Sequence, residues 1–232
     1  TESFAAIAQT RRSWRVLWGG ERASMTFTSP PYNAGVSAKL RRNTSIDDNF
    51  YKDEYDDNKS QDEWLELMVS FTDRALSVCE YVFVNIQSLA GNKRALIEYQ
   101  YKYKDVFCDV AIWRKLQAQP AAALRVMDSI FEYIFIFGGN FSRAVGTREF
   151  RGMVRNVFES DAQHENEFAS SHAATFPKVL PEHFIKTFTN KSELVFEPFA
   201  GSGTSLVACE TLPRRCFAVE ISPAYVAVTL QR

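Results

Sequence analysis

Two short stretches of this chain carry residue types whose spacing can do chemistry. The first is Thr28, Ser29, Pro30, Pro31, Tyr32, Asn33. Consecutive prolines lack amide hydrogens and stiffen the backbone, so the carbonyls of such a loop are expected to point outward instead of pairing in a sheet. An amine on an aromatic ring is the donor that suits them. Its lone pair is delocalised into the ring, and it becomes nucleophilic only when acceptors draw the nitrogen toward tetrahedral geometry. Ser29 and the Pro30 carbonyl can supply those acceptors, Pro31 stiffens them, and Tyr32 offers a flat face for a nucleobase taken out of its stack. The plainer reading is a rigid loop whose Tyr32 packs on the core.

The second stretch runs from Val195 to Thr204 and places Gly201 and Gly203 where an apolar strand turns into a helix. Glycine lets backbone approach a ligand closely, and the amides of the helix start favour an anionic group, either a phosphate or a carboxylate. Glu220 ends the next strand, where its carboxylate can accept from ribose hydroxyls. A dinucleotide site shares these features, but GxGxxG requires glycine where Leu206 stands, which disfavours a nicotinamide or flavin cofactor. A purely structural strand-to-helix turn is the plain alternative.

The elements that must position these residues are legible around them. Ala23 to Thr28 reads as a strand ending in the proline loop, and Asn33 to Asn58 as a polar, acidic, mobile excursion. Ser60 with Glu63 forms a capping-box pattern, and the spacing of Trp64, Met68, Phe71 and Ala75 predicts a helix from about Gln61 to Ser77. A strand over Tyr81 to Ile86, a helix over Lys93 to Tyr103, and strands over Phe107 to Trp113 and Glu132 to Phe137 follow. Gly138 to Ser171 dissolves into a polar, arginine-bearing stretch. After Pro181 come a helix to about Thr189, a strand from Leu194 to Phe196, the glycine turn, a helix to about Thr211, a strand from Cys216 to Val219 and a final helix. This rhythm predicts an α/β fold with a doubly wound, mostly parallel sheet.

The bulk numbers set limits. At 232 residues and 46% hydrophobic content, one domain with one sizeable core is expected. A net charge of −1 announces no nucleic-acid partner by itself. Basic groups are local: Arg11, Arg12 and Arg15 with Lys39, Arg41 and Arg42, then Arg143, Arg148, Arg151 and Arg155, which either neutralise phosphates or form solvated faces. Cys79, Cys108, Cys209 and Cys216 show no CxxC spacing and the histidines are scattered, so reduced thiols and no metal site are expected. No signal peptide or bilayer-spanning run is visible, which predicts an intracellular, cytoplasmic protein without membrane partners.

Taken together, these residues resemble the amino-methyltransferases of DNA, in the permuted class whose catalytic motif precedes its donor motif. Ser29 to Tyr32 looks like the catalytic motif. Phe196 to Thr204 (Glu197, Pro198, Phe199, Gly201, Ser202, Gly203 and Thr204 among them) looks like the motif that binds S-adenosylmethionine, and Glu220 like its ribose-binding acid. His172 through Phe176, Pro177, Leu180 and Pro181 to Ile185 is similar to the segment that encloses the methionine part. The resemblance implies a seven-stranded, Rossmann-like methyltransferase sheet and direct in-line transfer to the N4 of cytosine or the N6 of adenine in DNA. Ser29 leans toward cytosine on the loop alone, but adenine stays open. Carbon-5 chemistry is excluded because no Pro-Cys pair occurs. Glu197 stands where aspartate is commoner, and Trp18 to Glu21 abbreviates the Gly-Asp segment that relatives carry before the catalytic strand. The short Gly138 to Ser171 stretch is the expected place for target recognition, with help from another domain or subunit. The competing reading is a catalytically silent nucleic-acid-binding domain of the same fold.

Overall fold

A computed structural model describes residues 20–34, 57–117, 127–138, 154–161 and 176–232. Seven strands make one sheet: β1 (Ala23–Thr28), β2 (Cys79–Ile86), β3 (Phe107–Lys115), β4 (Phe131–Gly138), β5 (Val157–Ser160), β6 (Leu194–Glu197) and β7 (Arg215–Ala218). Among the described residues five helices accompany them: α1 (Gln61–Val78), α2 (Lys93–Lys102), α3 (Val179–Phe188), α4 (Thr204–Thr211) and α5 (Pro223–Gln231). The sheet order is β5-β3-β4-β2-β1-β6-β7. Among the described strands, β4 alone runs antiparallel to its neighbours, β2 and β3. The mostly parallel, doubly wound sheet expected from the sequence is therefore present, with seven strands among the described residues.

The strands carry an apolar residue on each face, as a sheet covered on both sides requires. On β2, Val82, Val84 and Ile86 join Trp64, Met68, Phe71 and Tyr99 beneath α1 and α2. Phe83 points the other way, to Met25, Phe27, Phe184 and Ile185 beneath α3. The Ser60 box forms as expected: its hydroxyl caps the Glu63 amide and the Glu63 carboxylate answers the Ser60 amide.

Two expectations are corrected. The Gly138 to Ser171 stretch contains a strand, β5, that its four residues could not announce; it pairs in parallel with β3, and Phe158 stacks on His183 of α3 at 4.5 Å. Strand β2 starts at Cys79, directly at the end of α1, before the apolar run that predicted it at Tyr81. The Asn33 to Asn58 excursion falls mostly outside the described residues, as do Arg11, Arg12, Arg15, Lys39, Arg41, Arg42, Arg143, Arg148 and Arg151. Arg155 is described and exposed. No described helix is long and apolar enough to cross a membrane.

Candidate active site

Strands β1 and β6 are neighbours whose chains continue in opposite directions, β1 to β2 on one side and β6 to β7 on the other. Ligand crevices of open α/β sheets form beyond the carboxyl ends of such a pair. The proline loop leaves β1 there, and the glycine turn leaves β6.

One carboxylate joins them. Glu197, at the end of β6 and 1% exposed, accepts from Thr28 Oγ1 on β1, from the Phe199 amide at 3.0 Å and from Ser205 Oγ at 2.8 Å. Burial pushes its carboxyl up to about 8, the three donors pull part of the way back, and nearby Glu220 adds to the rise. Glu197 thus spends its oxygens inside the protein, where it ties the two motifs together.

The glycine turn is built on positive φ at Gly201 (51°) and Gly203 (80°). A Cβ on Gly201 would meet nothing within 4 Å, so the turn presents bare backbone to open space. A Cβ on Gly203 would lie 2.5 Å from Thr229 Cγ2, so α5 packs onto that glycine. Pro198 is buried, and Phe199 turns its ring away from the turn, edge-on to Phe71 of α1 at 5.1 Å. Ser202 and Thr204 are buried, with Arg232 Nη1 donating to the Ser202 carbonyl at 2.9 Å and lying 3.4 Å from Thr204 Oγ1. Glu220 reaches back, accepting from the Gly201 amide at 2.6 Å and the Ser222 amide at 2.8 Å. Ser222 Oγ is buried without a hydrogen-bond partner among the described residues. Phe176 meets Phe27 edge-on and borders a cleft of about 680 Å³ that also reaches Lys178 and Arg232.

The proline loop differs from its expectation in one respect. Two carbonyls expected to face outward are already engaged: Pro31 accepts from Trp64 Nε1 at 2.7 Å and Tyr32 from Asn92 Nδ2 at 2.7 Å. The reason is that α1 and the turn before α2 bring side-chain donors to the loop. Of the two proline carbonyls, only that of Pro30 receives no such bond among the described residues. Asn33 closes the loop at φ 56°, bonding the Lys59 and Gly91 carbonyls at 2.8 Å each.

Tyr32 is half-buried, its ring packed against the core and its hydroxyl held by three groups. Ser29 Oγ donates to it at 3.0 Å, and it donates to Glu132 Oε2 at 2.6 Å, with Asn85 Oδ1 further off at 3.2 Å. Lys115 Nζ sits 2.6 Å from the other oxygen, Glu132 Oε1. Burial and the Glu132 charge push the Tyr32 phenol well above its ordinary value, so it stays neutral. Sequence reading missed Asn85, Glu132 and Lys115. A signal existed: Glu132 and Asn85 are polar residues within the apolar runs of their strands, both buried.

A glycine turn and a Ser-Pro-Pro-Tyr loop meeting at the switch point of a mostly parallel seven-stranded sheet define the Rossmann-like methyltransferase class. Within it the chain belongs to the DNA methylase family, the N6 and N4 methyltransferases, whose model matches residues 23–231. Among curated relatives, the type II methyltransferase M.Cfr9I of Citrobacter freundii is 29% identical over 126 residues, which is 52% of this chain and 42% of that protein. M.PvuII of Proteus hauseri is 39% identical over 62 residues, 27% of this chain and 18% of that one. The matched stretches thus span less than half of those relatives. Among solved structures, the cytosine-N4-specific PvuII DNA methyltransferase superimposes with a TM-score of 0.67 at 19% identity, covering 90% of this chain and 79% of its own. M1.HpyAVI in complex with SAM gives 0.64 at 16% identity, covering 100% and 96%.

Proposed function

We propose that this chain is the catalytic core of a DNA methyltransferase that moves a methyl group from S-adenosylmethionine to the exocyclic amine of cytosine (N4) or adenine (N6). The observation that carries the reading is the Glu197 carboxylate, which binds Thr28 at the root of the proline loop and Ser205 and Phe199 at the glycine turn. Donor motif and amine motif are thereby held in one crevice.

The residues fit the donor. Gly201 leaves a cradle that a side chain would fill, Glu220 offers a carboxylate to ribose hydroxyls, and beside it the buried Ser222 hydroxyl has no hydrogen-bond partner among the described residues. Ser202, Gly203 and Thr204 continue the same turn, and Phe176, against Phe27 of β1, is proposed to close the methionine side. When bound, S-adenosylmethionine supplies an electrophilic methyl on a positively charged sulfur. The rest falls to the chain: Ser29 Oγ and the Pro30 carbonyl accept the amine hydrogens, the stiff Pro30-Pro31 backbone keeps them in place, and Tyr32 faces the extruded base. The type II relatives support a restriction-modification setting inside a bacterial, archaeal or phage-infected cell. Their greater length supports a further domain or subunit for choosing the DNA site.

Incubation with tritiated S-adenosylmethionine and unmethylated DNA, RNA and protein, followed by mass analysis of the nucleosides, tests the proposal. N4-methylcytosine or N6-methyladenine is the expected product, and 5-methylcytosine alone would overturn it. The abbreviated Trp18 to Glu21 segment favours a second reading, a silent nucleic-acid-binding domain. Calorimetry decides between them, since a folded sample that binds no donor is not an enzyme of this kind.

A further inference from the structure

Hydroxyl groups can give or accept a hydrogen, and an amine-activating site needs the accepting sense. In this molecule the sense is set from a distance. Ser29 Oγ donates to Tyr32 Oη at 3.0 Å, and Tyr32 Oη donates to Glu132 Oε2 at 2.6 Å. Glu132 is 5% exposed on β4, and Lys115 Nζ occupies its other oxygen at 2.6 Å. An ionised carboxylate only accepts, so it obliges Tyr32 to donate to it; Tyr32 then has its lone pairs left for Ser29, and Ser29 spends its one hydrogen on Tyr32. What remains on Ser29 is a lone pair.

We propose that Glu132, held by Lys115, is the positioning residue that orients this hydrogen-bonded chain, so that Ser29 meets the target as an acceptor and selects an N–H donor. The inference rests on the function proposed above. Aligned hydrogen bonds polarise one another, and the carboxylate charge at the far end makes the Ser29 oxygen a stronger acceptor as positive charge grows on the attacking nitrogen. The amine lone pair forms the N–CH3 bond while the S–CH3 bond breaks and its electron pair stays on sulfur. The surplus proton then leaves the nitrogen for the Ser29 oxygen as the Ser29 proton passes to Tyr32 and the Tyr32 proton to Glu132. Tyr32 takes one proton as it yields another and never carries charge, in keeping with a phenol that resists ionisation.

Glu132→Gln replaces an obligate acceptor with a group that can also donate, which lets the chain reverse. The expected result, with tritiated S-adenosylmethionine and unmethylated genomic DNA, is a fall in kcat of about 10- to 100-fold. Donor affinity by calorimetry and the melting temperature should stay near the parent values. Glu132→Asp should recover part of the rate. Tyr32→Phe should cost a similar factor, and the Glu132→Gln, Tyr32→Phe double variant should be no slower than the slower single one. An active parent whose Glu132→Gln variant keeps kcat within about twofold, or whose two losses multiply, would overturn the oriented chain alone. Loss of donor affinity together with kcat would also overturn it, by making Glu132 a structural support. A folded parent that methylates no DNA overturns both the chain and the function it serves.

Discussion

The proposed function gives Tyr32 and Gly201 separate tasks in the crevice, and each can be removed separately. Tyr32→Ala deletes the face offered to the base and the middle of the Ser29–Glu132 chain, so turnover should fall by about 100-fold or more while calorimetric donor binding persists. Gly201→Val puts a branched side chain at φ 51° into the space kept clear for a ligand, and should abolish donor binding. The reverse pattern would exchange their roles. Glu197 makes a pH prediction. Its folded-state carboxyl, at about 8 against an ordinary 4.5, favours the protonated native protein. That contribution is fully present below about pH 4.5 and is lost as pH rises through about 8, a change on the order of a few kcal/mol. Between those limits the melting temperature of the parent should fall more steeply than that of Glu197→Gln, and parallel curves would contradict the buried assignment. The motif residues were legible because each motif is contiguous in the chain. Glu132, Asn85 and Asn92 were not, because their meaning lies in the loop residue they touch across the sheet, and no local pattern records that.

At the scale of elements, β1 holds the loop only through what α1 and the turn before α2 bring to it. Trp64, Asn92 and the close seat of Asn33 on Gly91 fix three points of it. A Cβ on Gly91 would lie 2.0 Å from the Asn33 carbonyl oxygen, and that obstacle is backbone. Gly91→Ala should therefore destabilise the protein by about 3 kcal/mol and depress turnover beyond what stability explains, as denaturant midpoints and kcat would show. Helices α1 and α2 and most strands were readable from a cap, a 3.6-residue period or an apolar run. β5 was not: its four residues alternate between exposed and half-buried, and it exists because β3 offers an edge and His183 a stacking partner. The Glu132 strand was legible as a strand, while its antiparallel direction was not, since no local pattern in β4 records which way it runs beside β3.

Across the whole molecule, order in the chain and order in the sheet part company. β1 is flanked by β2 and β6, and the bond from Thr28 to Glu197 joins residues 169 positions apart. Stability should peak where strands are paired on both sides and covered on both faces. Amide hydrogen exchange is expected to be slowest in β1, β2 and β4 and much faster in α5, where Tyr225 is the buried side chain. Uniform protection would refute one cooperative core centred there. The β1–β6 border has a further consequence. In sequence, the residues proposed to meet the amine fall in 23–138 and those proposed to hold the donor in 176–232. The two portions also meet where Phe184 and Ile185 of α3 pack on Phe27 and Phe83 and where Phe199 meets Phe71, so an exchange must carry a matching apolar seam. A hybrid that borrows 176–232 from a family member should keep this chain's choice of base while taking on the lender's affinity for the methyl source, provided the lender's joint supplies an acid where Glu197 stands.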